Sequence, residues 1–262
     1  MDTRTKNLIG HAVTEVPRAA SSEALLWEHP EWRTRFPWLI QGITAAGSAD
    51  DPFDLALFGE SCARRVMERW RSLGRATGAP RVVHGHQVHG TAVRLHVEAA
   101  PGLSISPDTD GHVTRTPGVL LAVSVADCVP VSLVDPGRRA VALLHAGWRG
   151  IAAGILERGL EALVERLGAS AADLHLHLGP AICGDCYEVG PEVQRGLGLP
   201  EPSAPEPVDL RAELARRAER AGLAPERITI STHCTRCGGS PFFSHRGGRA
   251  ERQVAVLGIL PG

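Results

Sequence analysis

Apolar residues in the middle of the chain form short runs separated by polar turns, a pattern that predicts closely spaced strands. Runs of strand length and composition cover residues 119–126, 129–134 and 140–144. The intervening turns carry Asp127 and Cys128 in one case and His145 in the other. Because side chains at strand ends are held by a rigid scaffold and remain reachable, this pattern indicates a chemical site.

Beyond His145 the apolar spacing changes to that of a helix. Leucine, isoleucine and valine recur at helical intervals over residues 151–167, and Gly168 is placed to end the helix. A strand, a glycine-rich turn and a helix are therefore expected in succession. The unpaired amides at such a helix start, with Arg149 beside them, suit phosphate or a carboxylate. A tight turn with a surface arginine fits the pattern equally well.

Helical and strand patterns alternate through the rest of the chain, which is typical of an α/β protein. We expect helices over 59–73 and 209–221, strands over 81–97, 173–178 and 227–231, and loops over 101–107 and 199–208. In the strand at 173–178 the leucines share one face, and His175 and His177 share the other. We expect these two histidines to face solvent or a polar seam.

Composition limits the function more than the fold. The chain has 262 residues, 43% of them hydrophobic and 22% charged, which is enough for a full core in one domain. Its net charge of −1 and the lack of a long basic block favour a small-molecule ligand and give no support for binding nucleic acid or an anionic membrane.

The compartment is predicted from what the sequence pattern lacks. With no apolar run of about 18 residues and no secretory signal pattern at its start, the chain is expected to be cytoplasmic, without a membrane partner. In the cytoplasm its six cysteines are expected to be thiols, metal ligands or catalytic groups more often than disulfides.

Cysteine and histidine together indicate a metal site. The Cys128 thiolate and two imidazoles would give zinc three protein ligands and leave one position open, as catalytic zinc requires. His145 is one candidate imidazole, and His84, His86 and His89 compete for the second place. Spacing does not choose among them, and a packed, hydrogen-bonded cysteine and histidine fit the local pattern as well.

Several short strings, taken in order along the chain, resemble the laccase-domain family of purine nucleoside phosphorylases, also described as multicopper polyphenol oxidases. The resemblance covers the chain from about residue 42 to its C-terminal end. The strings are Gln87-Val-His-Gly90, Ala126-Asp-Cys128, His145-Ala-Gly-Trp-Arg-Gly150, Leu178-Gly-Pro-Ala-Ile182, Tyr187-Glu-Val-Gly190, Cys234-Thr235 and Phe243-Ser-His-Arg246.

The resemblance implies an α+β fold, a layered α/β/β/α sandwich with mixed sheets in a single domain. Residues 1–35 would form an N-terminal extension packed on a domain spanning residues 36–262. His89, Cys128 and His145 would be the zinc ligands, with copper as the alternative metal. Sequence leaves a monomer and a homodimer equally open.

The activity implied by the resemblance is phosphorolysis of adenosine, inosine, guanosine and 5'-methylthioadenosine to free base and ribose 1-phosphate. Hydrolytic deamination of adenosine would be a second activity. The expected partners are therefore purine nucleosides and phosphate. The rival functions are a copper-dependent polyphenol oxidase, a cysteine hydrolase using Cys128 with His145 as base, and a non-enzymatic zinc module.

Further roles follow from position beside the expected ligands. His89, Cys128, His145 and Asp127 are the predicted catalytic residues. Asp127 and Gln87 would orient a metal-bound imidazole or water. Arg149 and Arg246 would offset phosphate charge near residues 147–150. Gln87, Arg149, Ser244 and Arg246 are the predicted substrate-binding residues. Each role has a structural alternative. Asp127 would bond only nearby backbone amides in its turn, and Arg149 and Arg246 would be surface charges.

Two features depart from the family pattern or lie outside it. Gly42-Ile-Thr-Ala-Ala46 places Ala46 where the family commonly has arginine, so the preferred nucleoside and the strength of phosphorolysis stay open. Two Cys-x-x-Cys units, Cys183 with Cys186 and Cys234 with Cys237, lie 48 positions apart. A usual zinc ribbon separates its units by about 15–20 residues, so a second metal site, disulfides and free thiols are all left open.

Overall fold

The computed structural model describes residues 9–18, 26–98 and 100–261. The strands are β1 (His11–Val13), β2 (Val16–Pro17), β3 (Leu26–Glu28), β4 (Leu39–Thr44), β5 (Arg81–Gly85), β6 (Val93–His96), β7 (Gly102–Ser106), β8 (Gly111–Thr114), β9 (Val119–Val125), β10 (Val129–Asp135), β11 (Ala140–Ala146), β12 (His175–Leu178), β13 (Glu188–Val189), β14 (Glu206–Pro207), β15 (Ile228–Ser231) and β16 (Gln253–Ile259). The α-helices are α1 (Pro30–Arg35), α2 (Ala63–Thr77), α3 (Trp148–Ala153), α4 (Ile155–Leu167), α5 (Pro191–Leu197) and α6 (Leu210–Arg220).

Most strands belong to two mixed sheets. Within the described residues, the first sheet has seven strands in the order β1-β15-β12-β10-β11-β8-β6. The second, also of seven, has the order β2-β3-β4-β16-β9-β5-β7. Parallel and antiparallel pairs occur in both, since β12 is parallel to β15 but antiparallel to β10, and β9 is parallel to β5 but antiparallel to β16. Strands β13 and β14 form a separate ribbon.

The alternation of side chains along buried strands produces four layers. In β11, Leu144 packs into the core beneath the helices that follow it, whereas Leu143 points to the other sheet. In β9, Leu121 meets that central core, whereas Leu120 packs with Trp70 of α2 on the far side. Helices therefore cover both outer faces of a pair of stacked sheets. The expected α/β/β/α sandwich with mixed sheets is confirmed.

The long helix expected over 151–167 is two helices. The first, α3, begins earlier than expected, at Trp148. Gly154, with φ of +93°, separates it from α4. A left-handed conformation is easily adopted by glycine and ends the first helix. The apolar periodicity runs on across the break because both helices pack on the same sheet, so periodicity alone hides it.

Two further expectations from local pattern are wrong. The strand expected over 81–97 is two strands in different sheets, β5 and β6, joined by the loop that contains His89. The loop expected over 101–107 contains β7, which pairs in parallel with β5. Glycine, serine and proline favour loops locally, but pairing with a neighbouring strand outweighs that preference here.

Both histidines of β12 are buried, and His177 lies in the expected polar seam. His177 bonds Glu15 Oε1 at 2.7 Å through Nε2 and Thr229 Oγ1 at 3.0 Å through Nδ1. The ring of His175 packs edge-on against Phe36, with ring centroids 5.2 Å apart.

Among the described residues, no helix combines the length and apolar character needed to cross a bilayer.

Replacing Leu143 by alanine is expected to lower the free energy of unfolding by about 2–5 kcal/mol, because it leaves a cavity between the two sheets. Leu143 is fully buried, whereas Val164 on α4 is 39% exposed. The control Val164→Ala should therefore change that free energy by no more than about 0.5 kcal/mol. Urea denaturation followed by circular dichroism measures both, and equal effects would contradict the layered core.

Candidate metal and substrate site

Three candidate metal ligands meet where strands of the two sheets end. His89 lies in the loop after β5, Cys128 in the turn before β10, and His145 near the end of β11. One ligand atom from each lies within 4.8 Å of the others, and His89 Nε2 is 3.9 Å from Cys128 Sγ. His145 is buried, Cys128 is half-buried and His89 is exposed, so the group opens to solvent on the His89 side.

The structure also separates His89 from the two competing histidines. His84 is buried in β5, where its Nε2 bonds Ser124 Oγ at 2.8 Å. His86 is exposed and its Nδ1 is 3.1 Å from Asp108 Oδ1. Neither belongs to a group of three or more candidate metal ligands among the described residues.

A buried carboxylate that the sequence analysis missed organises this group. Asp110 is fully buried, and its Oδ1 accepts a hydrogen bond from His145 Nδ1 at 2.8 Å. The same carboxylate accepts the backbone amides of Val88, His89 and Gly90 at 3.1, 3.0 and 2.9 Å. The bond to Nδ1 leaves Nε2 of His145 for a metal, a common arrangement in which a carboxylate orients a ligating imidazole.

Backbone conformation around the ligands is unusual for the residue types involved. His89 has φ of +59° and Asp127 has φ of +84°, both in the left-handed region that non-glycine residues rarely adopt. Such conformations persist where surrounding bonds enforce them, often at functional sites. At Gly147 an added Cβ would lie 2.8 Å from His89 Cδ2 and 3.0 Å from Cys128 Sγ, so a side chain there would crowd two of the candidate ligands.

The charges at the site favour a cysteine thiolate. Burial raises the pKa of Cys128, but the charge of His145 and hydrogen bonds from His145 and His89 outweigh it and lower that pKa to about 6. Burial also opposes charge on His145, yet the Cys128 sulfur and the Asp110 carboxylate raise its pKa to about 9. The thiolate is the form that binds metals, and a cation would take the place of the imidazole proton.

The donor set fits zinc with an open coordination position. One thiolate and two imidazoles match the ligand types and number of a catalytic zinc site, and the imidazole held by Asp110 has the expected supporting carboxylate. Copper also binds one cysteine with two histidines. The donors therefore suit either of these two metals and do not choose between them.

A cavity of about 450 Å³ adjoins the three ligands, a size common for small-molecule sites. Of the predicted catalytic and substrate-binding residues beyond the ligands, Gln87, Asp127, Arg149 and Arg246 line it. Ser244 does not; it is buried, and its Oγ accepts the amide of Gly247 at 3.0 Å within its own turn. Ala46 also lies outside the lining, and its amide donates to the carbonyl of Pro241.

Gln87 and Asp127 both make structural hydrogen bonds. The Gln87 side chain donates to the carbonyl of Ser124 at 2.8 Å and accepts its amide at 2.7 Å, which fastens the His89 loop to β9. The Asp127 carboxylate accepts Thr235 Oγ1 at 2.6 Å and the amide of Arg246 at 2.7 Å. Both side chains therefore hold the cavity wall in place, whatever further role they have.

The two arginines lie over aromatic rings that also line the cavity. Arg149 lies over Trp148 at 4.5 Å and Arg246 over Tyr187 at 4.9 Å, measured to the ring centroids. Arg246 also donates to the carbonyl of Glu188 at 3.0 Å. Among the described residues neither arginine has a carboxylate within ion-pair distance, so both can offset the charge of an anion.

The residues that sequence reasoning missed lie far from the ligands along the chain. Asp110 precedes His145 by 35 positions, and a lone aspartate before a glycine looks like an ordinary turn residue. Tyr187 and Trp148 belong to strings that carried the family resemblance, so they were visible in the sequence without an assigned role.

Comparison with known proteins places this site in a family. The family model for multi-copper polyphenol oxidoreductase laccase matches residues 45–259. The chain belongs to this family. The resemblance on which the sequence analysis relied is therefore confirmed, and the match includes all three candidate ligands.

Named relatives extend over most of the chain. A purine nucleoside phosphorylase of Deinococcus radiodurans is 35% identical over 227 residues, which are 83% of this chain and 82% of the relative. Adenosine deaminase RL5, from an unknown prokaryotic organism, is 33% identical over 203 residues, which are 70% and 77% of the two chains. The crystal structure of YlmD from Geobacillus stearothermophilus matches with a TM-score of 0.83 and 27% identity, over 94% of this chain and 99% of that one.

Replacing Asp110 by asparagine is expected to weaken metal binding roughly 10- to 100-fold, the usual cost of losing a carboxylate that orients a ligating histidine. Asparagine keeps one acceptor oxygen, but its NH2 group would face donors that the second Asp110 oxygen now accepts. Asp108→Asn is the control, because the Asp108 side chain is 74% exposed and its carboxylate bonds the exposed His86, which is not a candidate ligand. Chelator competition measures both affinities, and an unchanged affinity in Asp110→Asn would contradict this role.

Proposed function

We propose that this protein is a zinc-dependent purine nucleoside phosphorylase with an accessory adenosine deaminase activity. The observation that carries the proposal is the three-ligand group of His89, Cys128 and His145, open on one side to a cavity with two arginines that lack an acidic partner. The names of the relatives supply the reaction, because one is a purine nucleoside phosphorylase and another is an adenosine deaminase.

Zinc would be held by His89, Cys128 and His145, with Asp110 fixing the orientation of His145. When bound there, the metal would supply Lewis acidity next to the substrate. Asp110 would also keep the His145 proton on Nδ1, away from the metal side of the ring.

The cavity supplies what phosphorolysis demands of the protein itself. A phosphate oxygen forms a bond to C1' of the ribose while the bond from C1' to the purine nitrogen breaks, giving ribose 1-phosphate and free base. The chain must therefore hold an anion beside the sugar. Arg149 and Arg246 line the cavity and would offset the phosphate charge, and we place phosphate next to residues 147–150.

Aromatic surfaces in the same cavity suit a purine. Trp148, Tyr187 and Phe58 all line it, and a flat base gains by stacking on such rings. In deamination, water adds to the purine carbon that bears the amino group and ammonia leaves. The same base position serves both reactions if that carbon faces the metal ligands.

The rival functions make different demands on the site. A multicopper oxidase needs several copper sites, whereas the only other group of three or more candidate donors among the described residues consists of four cysteines. A cysteine hydrolase would use the same Cys128 and His145 ion pair as nucleophile and base. It differs from the proposal in working without metal, and a purely structural zinc module would have no turnover.

Cys128→Ala and His145→Ala are each expected to lose one zinc ion per chain and the phosphate-dependent release of base. Each removes one of three ligands, so the open site no longer retains metal. Metal analysis and a coupled assay on adenosine, inosine, guanosine and 5'-methylthioadenosine measure the two losses. The exposed thiol of Cys62 is the matched control, and Cys62→Ala should keep both metal and activity.

Three results would overturn the proposal. Copper at the site with oxidation of phenols would establish the oxidase. Full activity in metal-free protein, lost on alkylation of Cys128, would establish the cysteine hydrolase. Zinc with neither phosphorolysis nor deamination on any of the four nucleosides would leave a structural module.

Arg149→Gln is expected to raise the KM for phosphate at least about tenfold, since a charged hydrogen bond contributes about 1.5–3 kcal/mol and 1.4 kcal/mol is a factor of ten. Deamination of adenosine, which uses no phosphate, should change little. Initial rates at varied phosphate measure the first effect and ammonia release the second. Arg166→Gln, an exposed arginine on α4, is the control. Equal losses in both reactions would show that Arg149 does not act through phosphate.

A further inference from the structure

The two Cys-x-x-Cys units, 48 positions apart in sequence, meet in the folded protein. Cys183 and Cys186 lie in the loop after β12, and Cys234 and Cys237 lie in the loop after β15. One sulfur from each of the four lies within 4.8 Å of the other three. These four residues, here called the tetracysteine cluster, include neither Cys128 nor the exposed Cys62.

The spacing of the sulfurs matches a tetrahedral metal site. Zinc binds thiolates at about 2.3 Å, which sets ligand sulfurs about 3.8 Å apart at the corners of a tetrahedron. In the tetracysteine cluster Cys183 Sγ and Cys237 Sγ are 3.9 Å apart. Four thiols packed at this distance without a cation would repel one another once ionised.

Two backbone amides point at one of the four sulfurs, as amides do around bound thiolates. The amides of Cys183 and Arg236 donate to Cys234 Sγ at 3.3 and 3.4 Å. Hydrogen bonds of this kind stabilise negative charge on sulfur and orient metal ligands. A short 3-10 turn, Gly184–Cys186, brings Cys183 and Cys186 to the same side of their loop.

We propose that the tetracysteine cluster binds one structural zinc ion in a closed site with four protein ligands. No position is left for water or substrate, so this site does no chemistry. Its effect is to reinforce the link between the loop after β12 and the loop after β15, which are also joined by the bridge between Ala181 and Cys234 and by a hydrogen bond from Arg236 to the Cys186 carbonyl.

Zinc bound to the tetracysteine cluster would stabilise one wall of the substrate cavity. Tyr187, which follows Cys186, lines the cavity. Thr235, which follows Cys234, donates to the Asp127 carboxylate beside the ligand Cys128. The zinc ion would thus fix the position of Tyr187 in the cavity wall. It would also fix Thr235, which bonds the turn that carries Cys128. The inference is independent of the reaction proposed for the cavity, because it concerns a different set of ligands.

Elemental analysis and native mass spectrometry of the full chain, purified under reducing conditions, test the inference. The unmodified protein is expected to hold two zinc ions per chain, and Cys237→Ser and Cys128→Ala are each expected to hold one. The double variant should hold none. Cys62→Ser is the matched control and should keep both ions, since it replaces an exposed cysteine outside the tetracysteine cluster.

The melting temperature tests whether the zinc ion of the tetracysteine cluster is structural. Cys237 is exposed, so its own packing contributes little, and a fall in Tm of several degrees in Cys237→Ser would reflect the lost metal. Cobalt added to metal-free Cys128→Ala should give the strong thiolate charge-transfer absorption of a four-sulfur site. This readout does not depend on the folding of a variant within the tetracysteine cluster.

Any of three outcomes would overturn the inference. These are a single zinc ion in the unmodified protein that Cys128→Ala removes, a mass showing disulfides among the four cysteines after reducing purification, or iron in place of zinc. A failure of phosphorolysis with two zinc ions present would leave the inference intact and count against the proposed function alone.

Discussion

The site depends on one buried carboxylate. Asp110 is fully buried, and a charge in that position is costly unless it is well bonded. Three successive amides of the His89 loop and the imidazole of His145 supply the bonds. These four donors explain why His89 holds a left-handed conformation and why His145 presents Nε2 to the metal position. The loop, the imidazole and the charge of Cys128 therefore form a single electrostatic unit.

This unit sits where the chain passes from one sheet to the other. Cys128 lies in the turn between β9 of the second sheet and β10 of the first, and His89 lies between β5 of the second sheet and β6 of the first. A metal bound to both would link the two crossings, with His145 of β11 as the third attachment. The sharp turn that such a crossing needs is consistent with the positive φ of Asp127.

Sequence patterns predicted the elements and residues that depend on neighbours close in the chain. The strands expected over 129–134 and 140–144 correspond to β10 and β11, because continuous apolar runs are typical of buried strands. Cys128 and His145 stood out beside them, whereas the choice of His89 over His84 and His86 required the family resemblance. Asp110 was missed because its partners are remote in sequence. The strand β7 was missed because its stability comes from pairing with β5, which composition does not reveal.

The two cysteine-containing groups differ in the number of metal-binding side chains that they offer. The His89, Cys128 and His145 group offers three ligands and opens to a cavity, whereas the tetracysteine cluster offers four and leaves no position open. They are joined through Thr235, which follows one cysteine of the cluster and bonds Asp127 next to Cys128. Cys128 and His145 lie at or beside strand ends that the sheets hold, and Asp110 holds the His89 loop. The two loops of the cluster lie between strands, so a closed metal site there would reinforce the link that they make through Ala181 and Cys234.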